Sequence, residues 1–240
     1  FIINGNHEDR STYESYGLNG VSDGYNKFID KGEMSNELEN DEIKENIHTI
    51  LECLPTVIFL KFENDNKWYQ LCHGGIDPTF KPISYLNSSK NYFTINNLVY
   101  EINGLKWSDF SLEAEVIKPS PRGAGYIYGI PNTEAYLNDN NLHSIISGHQ
   151  DNVPLGIMPR DRSFNNENLS LNNDLINEEY INELYTLKST AKKEFTLNPK
   201  TDFLALVTST AAQSKNWVKN NTYLILSNEN LIINSWNDTS

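Results

Sequence analysis

The sequence predicts a mixed α/β fold, read as one domain over residues 1–240. Three observations predict it. A long amphipathic helical pattern runs into an apolar hairpin, two apolar strands each end beside a glycine and a histidine, and the chain closes in a run of strands.

Phe1-Ile2-Ile3 reads as a buried strand that enters the polar turn Asn4-Gly5-Asn6-His7-Glu8-Asp9-Arg10. Ser11-Thr12 can cap a short helix carrying Tyr13 and Tyr16. Residues 35–54 form the clearest helix. Ser35 is its N-cap, acids crowd its first turns, and Pro55 stops it. Leu38, Ile43, Ile47, Ile50, Leu51 and Leu54 make its apolar stripe, and His48 beside them reads as structural. Residues 56–62 form a β-branched and aromatic strand, residues 63–67 turn, and residues 68–72 return to deliver His73-Gly74-Gly75.

Residues 79–105 read as loop and helix, ahead of Trp107-Ser108-Asp109. Pro119-Ser120-Pro121 restricts the backbone before Arg122-Gly123-Ala124-Gly125, where a glycine-flanked arginine can present its whole guanidinium fork to an anion. Asn132-Thr133-Glu134 opens a short helix. Residues 142–147 form a strand that ends in Gly148-His149-Gln150, while His143, early in that strand, reads as structural. Residues 151 to about 200 read as a polar loop or insertion, with a helix over 178–187. Strands follow at 203–208, 223–227 and 231–236, the last two joined across Asn228-Glu229-Asn230.

A formal charge of −13, with Lys192-Lys193 the largest basic cluster, argues against a nucleic-acid or anionic-membrane partner. Mean hydropathy is −0.55 and no apolar run reaches the length of a membrane span. With no secretory signal, the expected location is intracellular, in the cytoplasm. Cys53 and Cys72 read as free thiols of a reducing compartment, with a single disulfide as the alternative. An N-terminal Phe opening a strand is the expectation for a chain truncated upstream.

The chemistry gathers at strand ends. Asn6, His73 and His149 are amide and imidazole donors of the kind that bind first-row transition metals, and they come from loops far apart in the chain. With Arg122 as an anion holder, they point to a metal-assisted hydrolase acting on an anionic substrate.

Gly5-Asn6-His7-Glu8, His73-Gly74-Gly75, Trp107-Ser108-Asp109, Arg122-Gly123 with Gly125, and Gly148-His149-Gln150 occur in an order that resembles the motif series of the PPP-type serine/threonine protein phosphatases. These belong to the calcineurin-like metallophosphoesterases. The resemblance implies a central β-sandwich flanked by helices, lacking its first strands here, with two divalent transition-metal ions (Mn, Fe or Zn) in the complete protein. Asn6, His73 and His149 would bind the second metal. His7 would be the general acid that protonates the leaving serine or threonine oxygen. Glu8 would orient nearby groups, Arg122 would hold phosphoryl oxygens, and Asp109 joins them in the catalytic set. A phosphoprotein is the implied substrate, and regulatory proteins are implied partners.

The sequence departs from that pattern. It contains no Asp-x-His and no Gly-Asp dipeptide, so the family's first metal site, its bridging carboxylate and its second phosphate-binding arginine are not in this chain. Phe110 stands where the family usually has Pro, and Thr208-Ser209-Thr210-Ala211-Ala212-Gln213 replaces its Phe-Ser-Ala-Pro-Asn-Tyr run. The alternatives are a phosphoesterase acting on nucleotides or other small phosphoesters, and a non-catalytic phosphatase-like binding module.

Overall fold

The structure is a computed structural model that describes residues 2–6, 12, 45–46, 48–88, 103–150, 155–160, 176–177, 185–187, 193–208 and 220–237. The chain divides into two units, Phe1–Thr56 and Val57–Ser240.

In the first unit, residues 48–52 are helical, in agreement with the C-terminal half of the expected helix. His48 is buried at its start, whereas Ile50, expected in the apolar stripe, is 63% exposed. The inward side of this turn therefore runs through His48 and the half-buried Leu51. The expected strand at Phe1-Ile2-Ile3 is not one over its described part. Residues 2–5 are irregular and Ile2 is exposed. A strand needs a ladder for its amides. Here Asn4 instead donates its backbone N–H to Pro55 O at 2.9 Å and its side-chain amide to Leu51 O at 2.8 Å. Asn4 thereby ties the start of the chain to the last turn of the helix and to the segment that follows it. The expected N-terminal half of the helix and the Tyr13–Tyr16 stretch lie outside the described residues, apart from single positions.

The second unit is built on sheets. Strands β1 (Val57–Leu60) and β2 (Trp68–Cys72) form the expected antiparallel hairpin. Three short strands follow, β3 (Asp109–Phe110), β4 (Lys118–Pro119) and β5 (Tyr126–Tyr128), which make a small sheet of order β3-β5-β4. A helix spans Ile130–Asp139, starting ahead of the expected Asn132. Pro131 fits in its first turn, where its missing N–H has no intrahelical acceptor to lose. Asn141 at φ 55° ends the turn that leads from it.

The remaining strands are β6 (Leu142–Ser147), β7 (Leu155–Pro159), β8 (Ile176–Asn177), β9 (Tyr185–Leu187), β10 (Lys193–Leu197), β11 (Phe203–Thr208), β12 (Asn220–Leu226) and β13 (Leu231–Asn237). The main sheet has seven strands in the order β1-β2-β6-β11-β7-β9-β8, and a second sheet runs β10-β13-β12. The described strands within 151–200 correct the expectation of a polar loop. β9 likewise corrects the helix expected over 178–187 where that span is described. β9 pairs with β7 through Ile157–Tyr185, a long-range ladder that local periodicity does not reveal.

β2, β6 and β11 are parallel neighbours at the centre of the main sheet. Covered on both faces, β11 is a nearly continuous apolar run, Phe-Leu-Ala-Leu-Val, buried throughout. One face of this centre packs Cys72, Ile145, Ala205 and Val207 with Leu137 of the helix and Phe110 and Tyr128 of the small sheet. The other packs Ile146, Ile157 and Leu206 against Leu197, Leu231 and Ile233 of the second sheet. The result is a β-sandwich with a helix on its outer face, the architecture expected from the motifs.

Candidate active site

Because β2, β6 and β11 run in parallel, their carboxyl ends share one rim of the main sheet. Open α/β sheets bind ligands at such a rim. Leu71 lies opposite Ile146, so His73 leaves β2 and Gly148-His149 leaves β6 at adjacent points. The Gly148 N–H donates to His73 O at 2.9 Å and ties the two loops together.

His149 adopts φ 69°, a left-handed conformation that costs a residue with a Cβ about 1–3 kcal/mol. The surroundings impose it. Next along the chain, Gln150 accepts from Phe110 N–H at 2.9 Å and donates to Phe110 O at 3.0 Å. This two-way amide clamp holds the loop after β6 against β3, whose first residue is Asp109. The His149 ring is buried, edge-on to His73 at 5.2 Å and to Trp107 at 5.6 Å between ring centroids.

Arg122 completes the cluster. Its Nη1 lies 2.9 Å from His149 Nε2, and its Nε lies 3.6 Å from Asp109 Oδ2. The other Asp109 oxygen is 3.8 Å from His149 Nε2. A tight loop presents the arginine. Ser120 Oγ accepts the Arg122 N–H, Gly123 N–H donates to Ser120 O, and Ser120 N–H donates to Gly125 O. Gly125 sits at φ 70°, and a Cβ there would come within 2.4 Å of the Trp107 carbonyl carbon. Ser108 Oγ locks the same corner, donating to Ile76 O at 2.8 Å and accepting Tyr126 N–H at 3.0 Å.

Gly74 and Gly75 dock on the short helix Gly104–Trp107 through N–H bonds to Leu105 O and Gly104 O. A Cβ on Gly74 would meet the Lys106 carbonyl carbon at 2.5 Å, so the His-Gly-Gly sequence permits a backbone-to-backbone contact. Gln70 adds a buried brace, donating to Gly75 O at 2.9 Å and accepting from the Tyr136 hydroxyl at 2.8 Å.

Of the candidate residues, the structure thus brings His73, Asp109, Arg122 and His149 together. Asn6 is buried within the first unit. His7 and Glu8 lie outside the described residues. Among the described residues, no group of three or more His, Cys, Asp or Glu is spaced to hold a metal ion. The paired imidazoles beside a carboxylate are nevertheless nitrogen and oxygen donors that suit a first-row cation. Trp107 and the Gln150 clamp were not among the candidate residues of the sequence. Both residues stand inside motifs already marked, which was the available signal.

No protein-family model matches the chain. It is 29% identical over 150 residues to the serine/threonine-protein phosphatase PP2A-like PPG1 of Candida albicans, a match covering 62% of this chain and 32% of that protein. It is 26% identical over 149 residues to a protein phosphatase 2A catalytic subunit of Dictyostelium discoideum, covering 62% of this chain and 42% of that one. The matches thus take in less than half the length of either curated relative. In fold, the whole chain superposes on 61% of a Saccharomyces cerevisiae protein serine/threonine phosphatase described as similar to human phosphatase PP5, with a TM-score of 0.54 at 17% identity. In sequence the chain is thus similar to serine/threonine protein phosphatases of the PP2A type, and in fold to a PP5-like one.

Proposed function

We propose that the protein hydrolyses phosphoserine and phosphothreonine in protein substrates with the help of divalent metal ions. The observation that carries this reading is the meeting of His73, His149, Asp109 and Arg122 at one rim of the sheet, in a chain similar to phosphatases that the same motifs characterise.

Asn6, His73 and His149 would hold a divalent cation such as manganese, iron or zinc. Such a cation, when bound, supplies charge stabilisation for the phosphoryl group and acidifies the attacking water. The chain's own residues do the rest. Arg122 offers its guanidinium N–H groups to the phosphoryl oxygens, where charge-assisted bonds orient a dianion. Asp109 sets the angle of that guanidinium through its Nε. His7 hands a proton to the departing serine or threonine oxygen, because an alkoxide is a poor leaving group, and Glu8 orients its surroundings. Regulatory proteins are further partners under this reading.

The test is hydrolysis of a phosphothreonine peptide with added manganese, by the protein expressed from its complete reading frame. The His7→Asn variant should lose roughly 10²–10⁴-fold in kcat. Equal rates for parent and variant would sink the general-acid role. Faster turnover of dinucleoside polyphosphates than of the phosphopeptide would move the substrate to small phosphoesters. The competing reading, a phosphatase-like binding module, draws on the lack of Asp-x-His and Gly-Asp motifs in these residues. It predicts a protein that binds no metal, against the enzyme's two ions.

A further inference from the structure

Resting on His149 as a metal ligand, we propose that Arg122 and the cation compete for its imidazole, so that Arg122 gates metal binding and a phosphate anion opens the gate. A guanidinium has N–H donors and no acceptor, so at 2.9 Å His149 Nε2 must be the acceptor. The single lone pair of Nε2 is then engaged by Arg122. The neutral ring carries its proton on Nδ1, and Nδ1 accordingly has no lone pair to give. A cation approaching Nε2 meets the arginine N–H. A cation approaching Nδ1 requires the ring proton to move to Nε2, where it would face that same N–H. By either route, His149 becomes a ligand only when Arg122 withdraws.

The loop is built to let it withdraw. The Arg122 side chain is 37% exposed, and Asp109 on its Nε side gives the guanidinium a pivot as its Nη1 edge swings off the ring. Beyond it, Gly123 has open space around its Cα, at φ 86°. A phosphate dianion is a stronger acceptor for the guanidinium fork than a neutral imidazole nitrogen. Phosphate should therefore draw Arg122 off His149 and favour metal binding there, and the coupling must be reciprocal.

The experiment titrates zinc or manganese into the parent protein and Arg122→Ala, by calorimetry and by ¹⁵N NMR of the His149 ring, with and without inorganic phosphate. The contact predicts the Nδ1–H tautomer in the parent before metal is added. It also predicts roughly tenfold tighter metal binding by Arg122→Ala, on the scale of one hydrogen bond to a charged group. Phosphate should tighten metal binding in the parent and do so much less in the variant. Equal metal affinities in the two proteins, or an equal phosphate effect, would overturn the gate and leave the metal site standing. Absence of metal binding in both would overturn the gate together with the metal reading beneath it.

Discussion

Gln150 shows how one side chain can hold a corner of the candidate site. Its amide fills both backbone hydrogen-bonding groups of Phe110 in a buried place. Gln150→Leu would leave that N–H and C=O unsatisfied, each costing about 1–3 kcal/mol. We expect a loss of about 2–4 kcal/mol in urea unfolding and a fall in metal affinity, since the clamp also fixes the backbone of His149. Undiminished stability would mean that Phe110 finds other partners. Single residues were partly legible in the sequence. His73, Arg122 and His149 stand out because a reactive group lies beside glycine, and a sharp backbone turn is what brings such groups to a rim, whereas Asp109 is marked only by the resemblance of its Trp-Ser-Asp motif. The left-handed φ of His149 and the pairing of Gln150 with Phe110 were not legible, because both depend on partners distant in the chain.

Among elements, the strands that carry the site and the closing hairpin were legible in the sequence, and the short strands β8 and β9 were not. β11 is buried on both faces, so its apolar run marks it without tertiary knowledge, while β2 and β6 are marked by apolar residues that lead into a histidine beside glycine. β8 and β9 are two and three residues long and exist through pairing with each other and with β7. The opening Ile2-Ile3 looked like a strand, but the amide of Asn4 is held by Pro55. The loops between elements carry testable weight as well. Gly125→Ala would force a Cβ into the Trp107 backbone at a positive φ, and should cost about 2–4 kcal/mol by thermal or urea unfolding while displacing Arg122. A neutral effect would show that the Arg122 loop can shift without loss.

A second polar group lies where the β1–β2 turn, the start of β6 and the segment leading into β11 meet. Asp65 accepts from His143 at 2.7 Å and from Lys200 at 2.9 Å. Burial raises the Asp65 pKa, but hydrogen bonds from His143, Lys200 and the Lys67 N–H more than offset it, and the carboxyl stays well below its usual range. Burial lowers the His143 pKa, with Asp65 opposing in part. The folded protein thus binds fewer protons than the unfolded chain at both groups. Stability should be full near neutral pH. It should fall first below about 6.5, the ordinary value at which unfolded His143 takes up a proton, and again below about 3.8 for Asp65. Urea midpoints at roughly pH 7, 5 and 3, which bracket the ordinary His and Asp values, check this. His143→Gln should flatten the first decline, and an unchanged slope would show that other groups govern it.

For the molecule as a whole, the sandwich is a frame that places loop chemistry. The second sheet covers one face of the parallel centre, while the helix Ile130–Asp139 and the small sheet cover the other. The ends of β2 and β6 are left at a rim where two imidazoles, a carboxylate and a guanidinium meet. The most direct measurement of the central claim is manganese-supported hydrolysis of a phosphothreonine peptide by the protein from its complete reading frame, compared with His149→Ala. Removing the imidazole proposed to ligate the metal should abolish turnover to within background and sharply weaken manganese binding, with the fold retained by circular dichroism. A folded His149→Ala protein that binds manganese and turns over the peptide like its parent would contradict the account.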